Sequence, residues 1–216
     1  MEVLITGTSN GIGRATAIKF LKEGHNVHGL DIELGTIEHE RYKHYWCDVS
    51  EGDTLPDLEG MEIVINNAGT QNDLLAIDVN LIGTALVTEK YAIQPCIKAI
   101  VNVASTSAHN GAEFPMYSAS KGGVLAYTKN VALRVAQYNA TCNSISPGGV
   151  LTDLNKHIIN NPDLWEQVMH ESLIKKWATA EEIADWIYFV AVVNKSMTAQ
   201  DIIIDNGEIA NANFVW

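Results

Sequence analysis

Positive charge is scarce in this 216-residue chain: 14 Lys and Arg stand against 26 Asp and Glu, a formal net charge of −12. That balance provides no basic face for nucleic acid or an anionic membrane, and it describes a solvated acidic surface. Cysteine is sparse as well. Cys47, Cys96 and Cys142 form an odd, scattered set with no CxxC pair, which argues against a disulfide framework and a zinc knuckle and fits reduced thiols in the cytoplasm. The seven histidines include no HExxH, so no metal is expected. Long hydrophobic runs are missing: residues 186–193 are uncharged but too short to span a bilayer. The amino terminus lacks the basic and apolar regions of a signal peptide, and a cytoplasmic protein is expected. Gly (16) and Pro (5) are too few for a disordered or collagen-like chain, and 47% apolar with 19% charged residues is globular composition. The length suits one domain, 1–216, with a large core.

What is present is an alternation of short apolar runs with helical periodicity. Strands are expected at 3–6, 26–30, 42–47, 61–65, 99–104, 140–146 and 201–205. Helices are expected at 11–23, 74–94, 117–138 and 179–193, with a poor short helix at 52–58 and a mixed, mostly helical stretch at 153–176. In the first helix Ile12, Ala15, Ile18 and Leu21 share a face. Thr179 and Glu182 stand in capping-box spacing. The strands are apolar throughout, which indicates an α/β fold: a doubly wound parallel sheet of about seven strands, covered by helices on both faces. Such sheets bind ligands at the carboxyl ends of their strands.

The turn Thr6-Gly7-Thr8-Ser9-Asn10-Gly11-Ile12-Gly13 joins the first strand to the first helix. Its glycines allow a tight turn and close approach of backbone N–H groups to a pyrophosphate, at a helix end that favours negative charge. Asp31 ends the second strand 18 residues beyond Gly13. A carboxylate there can accept hydrogen bonds from both adenosine ribose hydroxyls and would repel a 2′-phosphate. NAD is therefore the expected cofactor and NADP the alternative, with Arg14 as a group that could offset a phosphate.

In full, the pattern resembles the short-chain dehydrogenase/reductase family over nearly the whole chain. Gly7, Gly11 and Gly13 match its TGxxxGxG turn. Asp48-Val49 is similar to its adenine-contacting pair, and Asn66-Asn67-Ala68-Gly69 to its NNAG segment. Asn80 matches its helix asparagine, and Tyr117-Ser118-Ala119-Ser120-Lys121 its YxxxK. Pro147-Gly148 with Val150 and Thr152 resembles its PG…T segment, whose threonine meets the nicotinamide carboxamide. Thr198-Ala199-Gln200 followed by Asp205-Asn206-Gly207 is similar to its TGQ…DGG ending. The resemblance implies a Rossmann-type domain and a cofactor site that also takes in Ser9, Asn10, Ile12, Asn67, Ala68 and Gly69.

Tyr117 and Lys121 lie four apart and so share one helix face. Tyrosine, with a pKa near ~10, is a poor base at neutral pH, and a neighbouring ammonium favours its phenolate. The resemblance implies that Tyr117 exchanges the proton at the substrate oxygen, while Lys121 also holds the nicotinamide ribose. Ser105 would hydrogen-bond the substrate oxygen, with Ser107 as a second candidate, and Asn80 would anchor a proton-relaying water.

Two departures from the family stand out. Ser105 and Tyr117 are 12 positions apart, one fewer than in many members, and only ten residues separate Gly69 from Asn80. A trimmed member with a more open pocket is expected. Its substrate wall should be 151–178, with His109, Asn110, Phe114 and Met116 opposite and His157 able to touch substrate. Three functions compete: an NAD(H)-dependent alcohol/ketone oxidoreductase, a 3-oxoacyl-acyl-carrier-protein reductase docking through Lys129, Arg134, Lys175 and Lys176, and a non-catalytic dinucleotide sensor. A homo-oligomer, dimer or tetramer, is expected from the apolar long helices and from Phe214, Val215 and Trp216 near the terminus.

Overall fold

A computed structural model describes residues 1–112 and 114–211. Strands β1 (Glu2–Thr6), β2 (Asn26–Asp31), β3 (Tyr42–Trp46), β4 (Ile63–Asn66), β5 (Ala99–Val103), β6 (Thr141–Pro147) and β9 (Asp201–Ile204) form one parallel sheet, in the order β3-β2-β1-β4-β5-β6-β9. Two-residue strands β7 (Val150–Leu151) and β8 (Ala178–Thr179) make a separate parallel pair. The order reverses between β1 and β4, and that switch point opens the crevice in which such sheets take ligands.

Residue alternation explains why the central strands β1, β4 and β5 are buried on both faces, whereas the edge strand β3, Tyr-Lys-His-Tyr-Trp, is partly exposed and polar, against the expectation of strands apolar throughout. Val3 and Ile5 of β1 point to one face, where α1 (Gly11–Lys22) and α7 (Ala180–Tyr188) pack through Ala17, Phe20, Ile183 and Ile187. Leu4 points to the other, against Val87 and Tyr91 of α2 (Thr84–Tyr91) and Val131 and Val135 of α4 (Pro115–Val135). Of the expected α1 face, Ala15 and Leu21 are buried, but Ile12 and Ile18 are only partly so. The packed face centres on Ala17 and Phe20 because α7 crosses α1 there.

The helix expected at 74–94 begins later and differently. Residues Ile77–Gly83 form wide π turns before α2, and Leu74 is exposed. A π turn swings one residue out of the helical register, and such turns recur at functional sites. At 52–58 only a 3₁₀ turn, Gly52–Thr54, forms. The 153–176 stretch divides into a 3₁₀ turn (Asp153–Asn155), α5 (Lys156–Ile159) and α6 (Pro162–Glu171). One short helix, α3 (Ser107–Asn110), follows β5. The Thr179/Glu182 capping box forms: Thr179 Oγ1 accepts from Glu182 N (3.1 Å) while Thr179 N donates to the Glu182 carboxylate (2.9 Å). Phe214, Val215 and Trp216 lie outside the described residues.

Candidate active site

A cleft of about 530 Å³ opens at the carboxyl ends of the strands. Its first wall is the glycine turn. Gly7 sits at φ +74°, a left-handed conformation that suits glycine. A Cβ on Gly13 would lie 1.9 Å from the Gly7 carbonyl oxygen, so helix α1 starts directly on the turn. No side chain caps α1 at Asn10, which leaves its first N–H groups available to an anion in the cleft. Gly7, Asn10, Gly11 and Ile12 line the cleft, whereas Ser9 and Gly13, expected at the cofactor, do not.

At one end lie Asp31, Asp48 and Val49. Asp31 Oδ2 accepts from Ser9 N (2.8 Å) and Oδ1 from Glu33 N (2.9 Å), so the carboxylate is oriented by two main-chain donors. Asn67, Ala68 and Gly69 form the floor. Thr6 Oγ1 accepts from both Asn67 N and Ala68 N at 2.9 Å, which fastens this segment to the end of β1.

The opposite end collects Ser105, Tyr117 and Lys121. Lys121 is buried, its Nζ donates to the Val103 carbonyl at 2.8 Å, and it lies 5.8 Å from the Tyr117 ring centroid. Burial lowers the pKa of its ammonium to about 8. Asn80 lies behind the wall, within the π turns. Its amide accepts from Thr70 N (2.7 Å) and donates to Ser120 Oγ (2.9 Å) and to the Thr70 carbonyl (3.0 Å). A Cβ on Gly69 would meet both Asn80 Oδ1 and Lys121 Nζ, so this corner is closely packed. Ser105 faces the cleft, whereas Ser107 is buried behind it and hydrogen-bonds it at 3.2 Å.

Pro147, Gly148, Val150 and Thr152 complete the rim. The β7–β8 pair brings Trp177 against Gly149, with Trp165 edge-on to it at 5.3 Å. Trp177 lines the cleft together with Leu154, Ile158 and Val168, all from the 151–178 stretch. The opposing wall differs from expectation. His109, Asn110, Phe114 and Met116 are not among the lining residues, and His157 is not either. His109 instead bonds Asp201 on β9 (Nε2 to Oδ2, 2.8 Å) and Ser146 Oγ on β6 (3.3 Å). Thr70, Gln71 and Leu75 line the cleft there instead.

Lys121 is the one Lys, Arg or His lining the cleft among the described residues, while Asp31, Glu33, Asp48, Glu171 and Glu208 also line it. Of the four basic residues considered for carrier docking, Lys129 is exposed and the other three are committed elsewhere. Arg134 is bidentate to Glu89, Lys176 pairs with Glu182, and Lys175 donates to the Ser172 carbonyl. Among the described residues no cluster of His, Cys, Asp and Glu could hold a metal ion, and no helix is long and apolar enough to cross a membrane.

Comparison with known proteins places this geometry. Residues 7–208 match the family described as enoyl-(acyl carrier protein) reductase. The chain is 30% identical to a short chain dehydrogenase of Penicillium roqueforti, over 94% of this chain and 95% of that one. It is also 30% identical to a 3-oxoacyl-acyl-carrier-protein reductase of Buchnera aphidicola, over 94% and 95%. A solved 4-hydroxyisoleucine dehydrogenase complexed with NADH superposes with a TM-score of 0.89 at 26% identity, covering 98% of this chain and 99% of that one.

Proposed function

The chain belongs to the short-chain dehydrogenase/reductase family and is an oxidoreductase that uses a nicotinamide dinucleotide; from that premise we propose that it interconverts a small secondary alcohol and its ketone with NAD(H). The observation that carries the reading is the meeting of Tyr117, Lys121 and Ser105 in the cleft whose other wall is the glycine turn.

The residues fit the cofactor. Gly7 and Gly13 let the turn pack against Asn67 and Ala68 with no room for a Cβ, which sets the bare N-terminus of α1 at the cleft wall. Asp31 and Glu33 would face the adenosine ribose, and both oppose a 2′-phosphate by charge. Asp48 and Val49 would border the adenine. Asn67, Ala68, Gly69, Pro147, Gly148, Val150 and Thr152 would surround the nicotinamide half. When bound, the dinucleotide supplies the hydride donor or acceptor.

The protein's own part is orientation and proton handling. Tyr117 gives the substrate oxygen its proton in reduction and takes it back in oxidation. The Lys121 ammonium, held on the Val103 carbonyl, stabilises the phenolate. Ser105 donates to the substrate oxygen and is the serine of the pair, since Ser107 is set behind it. Asn80 acts as a positioning residue, tying the Gly69–Thr70 turn to α4 beside Lys121.

A carrier-protein reductase would share this chemistry, and the Buchnera aphidicola relative keeps that reading in view. The charge pattern favours the small-molecule reading. An acidic carrier and its phosphorylated arm need cations, and the cleft offers only the deep Lys121. The exposed apolar residues Leu133, Trp186, Phe189 and Val193 support a homo-oligomer, and the three free cysteines support a cytoplasmic location. Consumption of NADH or NADPH against a panel of ketones and aldehydes tests the function. Turnover lost in Tyr117→Phe supports it, and turnover retained in that variant refutes it.

A further inference from the structure

The end of β2 and the loop after it carry Asp31, Ile32 and Glu33 into the cleft, yet residues 32–36 are exposed and belong to no helix or strand. On one side it is tied to the glycine turn: Thr36 Oγ1 donates to the Ser9 carbonyl (2.7 Å) and Asn10 Nδ2 to the Glu33 carboxylate (3.2 Å). A second tether runs from beneath. Thr8 Oγ1 lies 2.8 Å from Tyr42 OH, Tyr42 OH lies 3.2 Å from His44 Nδ1, and His44 Nε2 lies 3.0 Å from the Glu33 carbonyl. Tyr42 and His44 alternate along β3 and neither lines the cleft.

Elementary chemistry orders the protons of this chain. The Glu33 carbonyl can only accept, so Nε2 of His44 carries a hydrogen. In the neutral imidazole Nδ1 then accepts, and Tyr42 must donate to it. The remaining bond therefore runs from the Thr8 hydroxyl to the Tyr42 oxygen. Desolvation raises the Tyr42 pKa, which keeps its hydroxyl protonated. The space is reserved for these groups: a Cβ on Gly29 would lie 2.3 Å from Tyr42 OH and 2.4 Å from Thr8 Oγ1.

We propose that Tyr42 and His44 are positioning residues for the adenosine half of the cofactor, holding the 31–36 loop at a set height over the glycine turn. The inference rests on the dinucleotide-binding reading above. The chain joins the two walls between which an adenosine would lie, so breaking it removes the tether from beneath and leaves the Glu33 carbonyl to the longer bond from Ser9 Oγ (3.4 Å), while the Tyr117 end of the cleft stays intact.

The test is ligand binding to the whole protein, with NADH followed by fluorescence and with 5′-AMP and reduced nicotinamide mononucleotide followed by calorimetry. Tyr42→Phe and His44→Ala should each weaken NADH and 5′-AMP by about fivefold to tenfold, the effect of one lost hydrogen bond, with the mononucleotide unchanged. His44→Gln, which can still donate to the Glu33 carbonyl, should recover most of the 5′-AMP affinity. Unchanged 5′-AMP affinity in both variants overturns the proposal. So does an equal loss for both half-cofactors, which marks general loosening. If the parent protein binds neither NADH nor 5′-AMP, the dinucleotide reading itself falls, an outcome distinct from either.

Discussion

Asp73 Oδ1 accepts the main-chain N–H of Tyr117 at 3.1 Å, and that of Met116 at the same distance. Helix α4 opens with Pro115 after Phe114, which offers no side-chain cap, so its first orphan donors would otherwise lack a partner. A carboxylate 44 residues upstream provides the cap, and its charge also suits the positive helix end. The short segment between Gly69 and Asn80 thus sets the start of the helix that carries Tyr117. Asp73→Ala should destabilise the protein by about 1 kcal/mol and lower kcat, with Asp73→Asn recovering part of both. Thermal unfolding and steady-state kinetics check this, and an unaltered kcat would remove Asp73 from the positioning of Tyr117.

Tyr117→Phe retains the ring and loses the hydroxyl. Turnover should fall by roughly 10²–10⁴-fold, the usual share of general acid–base help, while NADH binding survives. Ser105→Ala should also slow turnover, and Ser107→Ala should do so less, because Ser105 lines the cleft and Ser107 does not. An equal effect of the two serine variants contradicts that order.

Burying Lys121 costs stability. Its pKa is lowered to about 8 from 10.5, so the folded state binds its proton more weakly than the unfolded chain. Below pH 8 both states are protonated and the folded state bears the whole penalty, on the order of 3 kcal/mol at about 1.4 kcal/mol per unit. Between pH 8 and 10.5 the folded state is neutral first, so the penalty shrinks as pH rises and is gone above 10.5. Lys121→Met should therefore be inactive yet more stable than the parent at pH 7, with the difference closing towards pH 10. Denaturant unfolding at several pH values measures it, and a gap that widens with pH would contradict the account.

The charge at the adenosine end predicts tighter binding of NADH than NADPH. Asp31 is fixed by Ser9 N and Glu33 N, so it cannot swing away from a 2′-phosphate without losing two hydrogen bonds. Asp31→Ser should weaken NADH and narrow its advantage over NADPH by about tenfold. Parallel fluorescence titrations decide it, and a parent protein that prefers NADPH would refute the assignment.

Ala199 stands at φ +58°, where an L-residue with a Cβ is strained by roughly 1–2 kcal/mol. Glycine relieves that strain but loses more backbone entropy on folding. Ala199→Gly should leave a net gain of about 0.5–1 kcal/mol and raise Tm by about 1–3 °C. A calorimetric scan showing a lower Tm would mean that contacts of the Ala199 methyl outweigh the strain.

The fold was legible from sequence, and so was the glycine turn that lines one cleft with Tyr117 and Lys121, because these depend on short-range spacing. Central strands such as Ile63–Asn66, buried at every position, require cover on both faces. Gly7, Gly11 and Gly13 mark a turn where side chains do not fit, and Tyr117 and Lys121 share a face through the 3.6-residue period. These are properties of a few consecutive residues, so the order of the chain alone determines them. The rest depends on how distant segments meet. Sequence left Ser105 and Ser107 open, and only in the fold does Ser105 line the cleft while Ser107 does not. His109, expected on the substrate wall, is bonded to Asp201 instead. The Asp73 cap, the closure of Trp177 onto Gly149 and the Thr8–Tyr42–His44 chain join residues far apart in the sequence, with no period or motif to announce them. Only the tertiary structure decided these contacts, because a hydrogen bond or a packed ring depends on ångström-scale distances that arise after the sheet and its helices have assembled.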